Sequence, residues 1–259
     1  MTQSQQTSDT SDSPDTYDSL DKLNVLISRV ALDKQLRPST VGSYRRLLRA
    51  LPDYPDVYAF VLSIENLNTR RATIIAVRSV LGVSIKIPKA LPRHYELASD
   101  DTYRLAIMLS KYSHRGLLMY EGGLRVGEAC AVTSKSLDGR WLRVDRQVQT
   151  LNGKDTLTQV KGTVGRVAVP MSLVPVIEGL DSLDNPACVR ESLRRAGKKV
   201  GISLNPHQLR HAYLTKLVNA GVPLPVIQRQ ARHSDISTTL RTYYNMNDKS
   251  VLGMLDSLE

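Results

Sequence analysis

The chain has 259 residues, with 35 Lys and Arg against 25 Asp and Glu, a formal net charge of +10 and 41% hydrophobic residues. That length suits one large or two ordinary hydrophobic cores, and no apolar run approaches the roughly 20 residues that cross a bilayer, which excludes a helical membrane anchor. The only cysteines, Cys130 and Cys188, are far apart, which excludes a disulfide framework or a Cys-rich zinc site and suits a reducing cytoplasm.

Residues 1–19 carry Ser, Thr, Gln and Asp with neither a basic cluster nor an apolar stretch, so a disordered polar tail is expected and a secretory signal is not. Asp9, Asp12, Asp15 and Asp18 all fall in it, leaving the rest of the chain more basic still. A polyanionic partner follows. Nucleic acid is favoured over a membrane surface because the basic residues are spread over many segments.

Residues 20–86 read as a helical domain. Leu20, Leu23, Val25, Leu26, Ile27 and Val30 recur at helical spacing. A second helix follows Pro38, with Ser39 as its expected cap and Val41, Tyr44, Leu47 and Leu48 as its apolar face. Tyr54 to Leu62 and Asn68 to Leu81 give two more. Arg45, Arg46, Arg70, Arg71 and Arg78 stand beside these stripes and are expected DNA contacts. Residues 87–96 contain Pro88 and Pro92, which cannot continue a helix, together with Lys89 and Arg93; an extended interdomain linker with phosphate contacts is expected.

From residue 97 to 259 a second domain is expected. Ser99-Asp100-Asp101 opens a helix. Between Trp141 and Pro170 the apolar period changes to two, with turn signals at Asn152-Gly153 and Gly162 to Gly165, which predicts a three-stranded antiparallel meander. Helical spacing then returns as far as Leu258. The predicted fold is mainly α, with one small sheet in the second domain.

Three segments carry polar residues suited to chemistry. Gly122-Gly123-Leu124-Arg125-Val126-Gly127-Glu128 sets two glycines before a short helix starting near Arg125, where backbone can approach a ligand closely. A plain surface ion pair of Arg125 with Glu128 is the alternative. Asn205-Pro206-His207-Gln208-Leu209-Arg210-His211 opens another helix, with Asn205 as cap and His207, Arg210 and His211 on one face. His207, His211 and His233 could also be zinc ligands by spacing. However, no carboxylate cluster accompanies them and Arg210 would repel a cation, so no metal is expected. The third segment, Arg229 to Asn245, contains His233-Ser234-Asp235-Ile236-Ser237-Thr238-Thr239 and then Tyr243-Tyr244.

The order and spacing of these boxes resemble the catalytic domain of the tyrosine site-specific recombinases, the phage integrases, over about Leu97 to Tyr244, and residues 20–86 are similar in length and placement to that family's core-binding domain. The resemblance implies Arg125 and Arg210 as phosphate-binding arginines, His207 as general base and His233 as a hydrogen-bond donor to phosphate. Lys161, ahead of Lys154, would be the general acid, and Tyr243, ahead of Tyr244, the nucleophile, with Glu128 and His211 in support. It implies cleavage and rejoining of a double-stranded core-type site through a 3′-phosphotyrosyl link, without a cofactor, by a cytoplasmic, nucleoid-associated protein that is monomeric in solution and tetrameric on DNA, with an accessory protein setting direction. A non-cutting DNA-binding protein of the same fold and a nickase resembling type IB topoisomerases are the other readings. No separate arm-binding domain is expected ahead of Leu20. The apolar stripe Val251, Leu252, Met254, Leu255 and Leu258 is expected to form a tail helix that docks on a neighbouring protomer or on its own domain. One departure stands out: Ala231-Arg232 precedes His233 where relatives commonly have Leu-Gly, so either the turn differs or Arg232 meets DNA.

Overall fold

A computed structural model describes residues 19–89, 97–151, 154–160 and 164–232. The chain divides into two compact units, residues 1–93 and 94–259. The polar tail and the C-terminal stripe lie outside the described residues.

Among its described residues the first unit holds four α-helices, α1 (Leu20–Asp33), α2 (Pro38–Leu48), α3 (Val57–Ser63) and α4 (Leu67–Leu81). Side-chain oxygens of Ser19, Asp56 and Asn66 accept from the amides of Lys22, Ala59 and Thr69 at the starts of α1, α3 and α4, satisfying donors that the first turn leaves open. Helices this short are marginal alone. They are held by a shared core that includes Leu23, Ile27, Leu48, Phe60, Ile74 and Val77, each worth about 1.5–3 kcal/mol when fully buried.

Two expected helix starts are corrected. Ser39 does not cap α2; Arg37 occupies that position and Pro38 the first helical one, where a residue lacking an N–H loses nothing. Ser39 therefore lies inside the helix, and its carbonyl accepts from Ser43 Oγ at 2.9 Å. Tyr54 is extended (φ −113°, ψ 147°), as a residue before proline prefers, so α3 begins only after Asp56.

The second unit contains α5 (Asp100–Met108), α6 (Ser113–Tyr120), α7 (Val126–Ala131), β1 (Leu137–Asp138), β2 (Trp141–Val144), β3 (Arg146–Leu151), β4 (Lys154–Gln159), β5 (Gly165–Ala168), α8 (Val174–Glu178), α9 (Pro186–Lys199), α10 (Pro206–Asn219) and α11 (Leu224–Ala231). Ser99 caps α5 as expected. The sheet is small and antiparallel, but its strands are not joined as a meander. One three-stranded sheet has the order β1-β2-β5, while β3 and β4 form a separate hairpin. Leu142 lies opposite Val167, both fully buried against the helical core. The hairpin buries Val148, whereas most β4 side chains are exposed on both faces. Burial therefore selects the β2 to β5 pairing and leaves the polar hairpin to project.

One ionic cluster fixes the helix that carries the second box. Asp100, at the start of α5, accepts from Lys216 on α10, from the Tyr120 hydroxyl at 2.5 Å and from Arg104 at 2.6 Å. The hydrogen bonds from Lys216 and Tyr120 hold its carboxyl well below the usual range. Among the described residues no helix is long and apolar enough to cross a membrane.

Candidate active site

Arg125 is the N-cap residue of α7, in extended conformation. Its backbone N–H donates to Glu128 Oε2 at 2.8 Å and its Nη1 to Oε1 at 2.9 Å. The ion pair weighed in the sequence exists, with the Glu128 side chain 1% exposed and that of Arg125 39% exposed. Burial pushes the Glu128 carboxyl up, yet the charge and hydrogen bond of Arg232, with those of Arg125, outweigh it and hold the pKa below the ordinary value.

The glycines of this box serve the interior. Gly123 has φ +67°, and a Cβ there would lie 2.5 Å from the Tyr213 ring. At Gly127 a Cβ would meet the Val148 carbonyl at 2.8 Å, so β3 passes over α7 only because that side chain is missing. At Gly123 the space that the sequence left for a ligand is occupied by the Tyr213 ring.

Asn205 caps α10 with Pro206 in the first position, as expected. Along this helix His207 is exposed, His211 is half-buried and Arg210 is buried. Arg210 donates Nη1 to the Gly123 carbonyl and Nη2 to the Ala231 carbonyl. One guanidinium thus staples the first box to the end of α11. Burial, then repulsion from Arg125, pulls its pKa down to about 9, with Arg232 adding to the repulsion and Glu128 opposing it. Burial also lowers the His211 pKa, and its Nδ1 lies 3.2 Å from Thr215 Oγ1.

Arg232 ends α11 in the left-handed conformation, φ 51° and ψ 46°, which costs a non-glycine residue about 1–2 kcal/mol. Its side chain is 3% exposed, and Nη2 donates to Glu128 Oε2 at 2.6 Å. The local turn is therefore one that glycine would adopt freely, and the arginine reaches back to the first box. Arg125 and Arg232 both pair with the single carboxylate of Glu128, and the buried Arg210 is bonded to the Gly123 and Ala231 carbonyls beside them, leaving a local surplus of positive charge. Such a surplus favours an anion.

Arg115 escaped the sequence reading. It is 1% exposed and donates Nε to Asp184, Nη1 to the Ala129 and Val132 carbonyls and Nη2 to the Ser182 carbonyl. It thereby anchors the last turn of α7 that carries Glu128. An arginine in Ser113-His114-Arg115-Gly116 carries no local signal of this role.

Of the other candidate residues, Lys161, His233, Tyr243, Tyr244 and Arg93 lie outside the described residues. Lys154 is exposed at the start of β4. In the first unit Arg45, Arg46, Arg78 and Lys89 are exposed and Arg71 is half-buried. Arg70 instead donates to the Ile64 and Leu62 carbonyls at the end of α3. Among the described residues no group of three or more His, Cys, Asp or Glu is placed to hold a metal ion.

The phage integrase family profile matches residues 185–250, the stretch with the second box, His233 and both tyrosines. The chain is 29% identical over 172 residues to tyrosine recombinase XerA of Pyrococcus furiosus, covering 60% of this chain and 58% of that protein. It is 30% identical over 186 residues to XerA of Saccharolobus solfataricus, covering 66% and 61%. The chain thus spans less than two thirds of the length of these relatives. Its fold is similar to that of the Tn1549 transposon integrase in complex with a circular intermediate DNA, with a TM-score of 0.69, 16% identity and coverage of 91% of this chain and 99% of that one. These matches, with a helical fold carrying a small antiparallel sheet, make the chain similar to the phage integrase family of tyrosine recombinases, whose profile it carries over residues 185–250.

Proposed function

We propose that the chain is a site-specific recombinase that cuts and rejoins double-stranded DNA through a 3′-phosphotyrosyl intermediate. One observation carries this reading: Arg210 is bonded to the Gly123 carbonyl of the box that holds Arg125, so guanidinium groups from two separate boxes are brought together with, among the described residues, only Glu128 pairing Arg125, a surplus of charge that a phosphate would neutralise.

A phosphodiester resists attack because its own negative charge repels the nucleophile. Arg125 and Arg210 would bind the non-bridging oxygens as charge grows on them. The Tyr243 hydroxyl, with an ordinary pKa near 10, would pass its proton to His207 as its oxygen bonds to phosphorus. The bond to the 5′-oxygen would break, Lys161 would supply that oxygen's proton, and His233 would donate to a non-bridging oxygen. The phosphotyrosyl link keeps the energy of the broken bond, so a 5′-hydroxyl from another strand can reverse the step without ATP. Glu128 would fix Arg125, and His211 would steady the first turns of α10.

In this reading four protomers assemble on paired core sites and exchange strands through a Holliday junction, which suits integration or excision of a phage or other mobile element. The exposed Arg45, Arg46 and Arg78, with Arg71, Lys89 and Arg93, would contact phosphates flanking the cut. The test is incubation with a nicked suicide duplex carrying a site selected from random DNA. A covalent protein–DNA band lost in Tyr243→Phe and kept in Tyr244→Phe is the expected result. Sequence-specific binding with no band in any variant would instead mark a non-cutting DNA-binding protein.

A further inference from the structure

We propose that the cavity between the start of β5 and the end of α11 seats a DNA backbone phosphate distinct from the one being cut, and that Arg232 is the residue that grips it. The proposal rests on the DNA-cleaving reading above.

The argument begins with Arg232 itself. Its Nε and Nη1 are buried with no hydrogen-bond partner among the described residues, while Nη2 is held by Glu128. Buried donors in a folded protein are normally satisfied, and leaving those of a charged group open is expensive. The backbone compounds this, since Arg232 sits at φ 51°, where glycine would fit without strain. The chain thus keeps a strained, desolvated guanidinium in a place where the smallest residue would relieve both penalties. Strain and open donors of this kind gather at binding sites.

The surroundings of Arg232 are basic. Arg232 lines a cavity of about 450 Å³ together with Gly165, Arg166, Gln228 and Arg229. Three arginines line this space, and among the described residues that line it none is acidic. Arg166 has an exposed, 3.5 Å pairing with Asp138, and Arg229 is steadied over the Trp141 ring at 5.7 Å. A Cβ at Gly165 would already touch the Arg232 stem at 3.7 Å. Neither Arg125 nor Arg210 lines the cavity, which separates this seat from the pair assigned to the cut phosphate. Because Glu128 binds both Arg232 and Arg125, a phosphate seated here would steady the carboxylate that aims Arg125.

Arg232→Gly is the informative variant, since glycine tolerates the backbone conformation, and Arg232→Lys keeps the charge but loses the planar donor set. Binding of full-length protein to the selected duplex is measured against salt, and each phosphate is replaced in turn by a neutral methylphosphonate. Arg232→Gly is expected to lower the salt slope by about 1, with Arg232→Lys between it and the wild type. One non-scissile phosphate should matter to the wild type and cease to matter in Arg232→Gly. An unchanged slope and methylphosphonate pattern, or loss of sensitivity only at the scissile phosphate, would overturn the proposal while wild-type covalent adducts still form. Absence of adducts from the wild type would instead remove the reading beneath it. If Arg232→Gly melts early, the same comparison is made with Arg232→Lys.

Discussion

Arg115 and Arg232 are both buried arginines of the second unit, and their surroundings could hardly differ more. Every nitrogen of Arg115 has a partner, and Asp184 balances its charge. Arg232 shares one carboxylate with Arg125, leaves two nitrogens open and stands near a third guanidinium, that of Arg210. A satisfied buried charge is architecture. An unsatisfied surplus is a receptor, since burying charge without compensation is costly unless a ligand supplies it.

Removing Arg115 would test the first half of that contrast with the largest expected effect. Arg115→Ala strips partners from Asp184 and three carbonyls, and should lower stability by about 3–5 kcal/mol, read from the urea midpoint. Stability unchanged with cleavage abolished would invert the roles assigned to the two arginines. Next comes the loop between them. Gly123→Ala must clear the Tyr213 ring from a left-handed position, and should lose about 1–3 kcal/mol by overpacking; a melt identical to wild type would show that the loop yields freely.

The smallest effect concerns pH. The folded pKa of Glu128 lies below its usual 4.5, so its contribution is fully present above that value and is lost as pH falls through the folded pKa. Wild type should therefore melt above Glu128→Gln at neutral pH, with about 2–4 °C for each kcal/mol, and the gap should close in acid. A gap that persists at low pH would mean that the carboxylate charge is not what holds the arginines.

Much of this was legible in the sequence because it is local. Helical spacing gave α1 to α4, and the caps Ser99 and Asn205 announced α5 and α10 through their own side chains. The boxes around Arg125 and Arg210 were legible for the same reason. The pairing of β2 with β5 was not, because it depends on which strand face the helical core covers, and Leu142 with Val167 settle that only in three dimensions. Nor was the burial of Arg232: its neighbours Gly165 and Glu128 are distant in sequence, and a basic residue beside a histidine reads as a surface contact until the backbone turns it inward. Gly123 shows the converse difficulty, since room for a ligand and room for a tyrosine ring look alike in one dimension.

The central claim is that Arg125 and Arg210 answer the negative charge of the phosphate being cut. Cleavage of a suicide duplex by wild type, Arg125→Ala and Arg210→Ala tests it directly when the scissile phosphate is either natural or a neutral methylphosphonate. On the natural linkage each alanine variant should be slower on the order of 100- to 1,000-fold, and on the neutral linkage that deficit should shrink to within about 10-fold because the charge it opposed is gone. An equal deficit on both linkages would contradict the account, leaving the arginines as scaffold like Arg115.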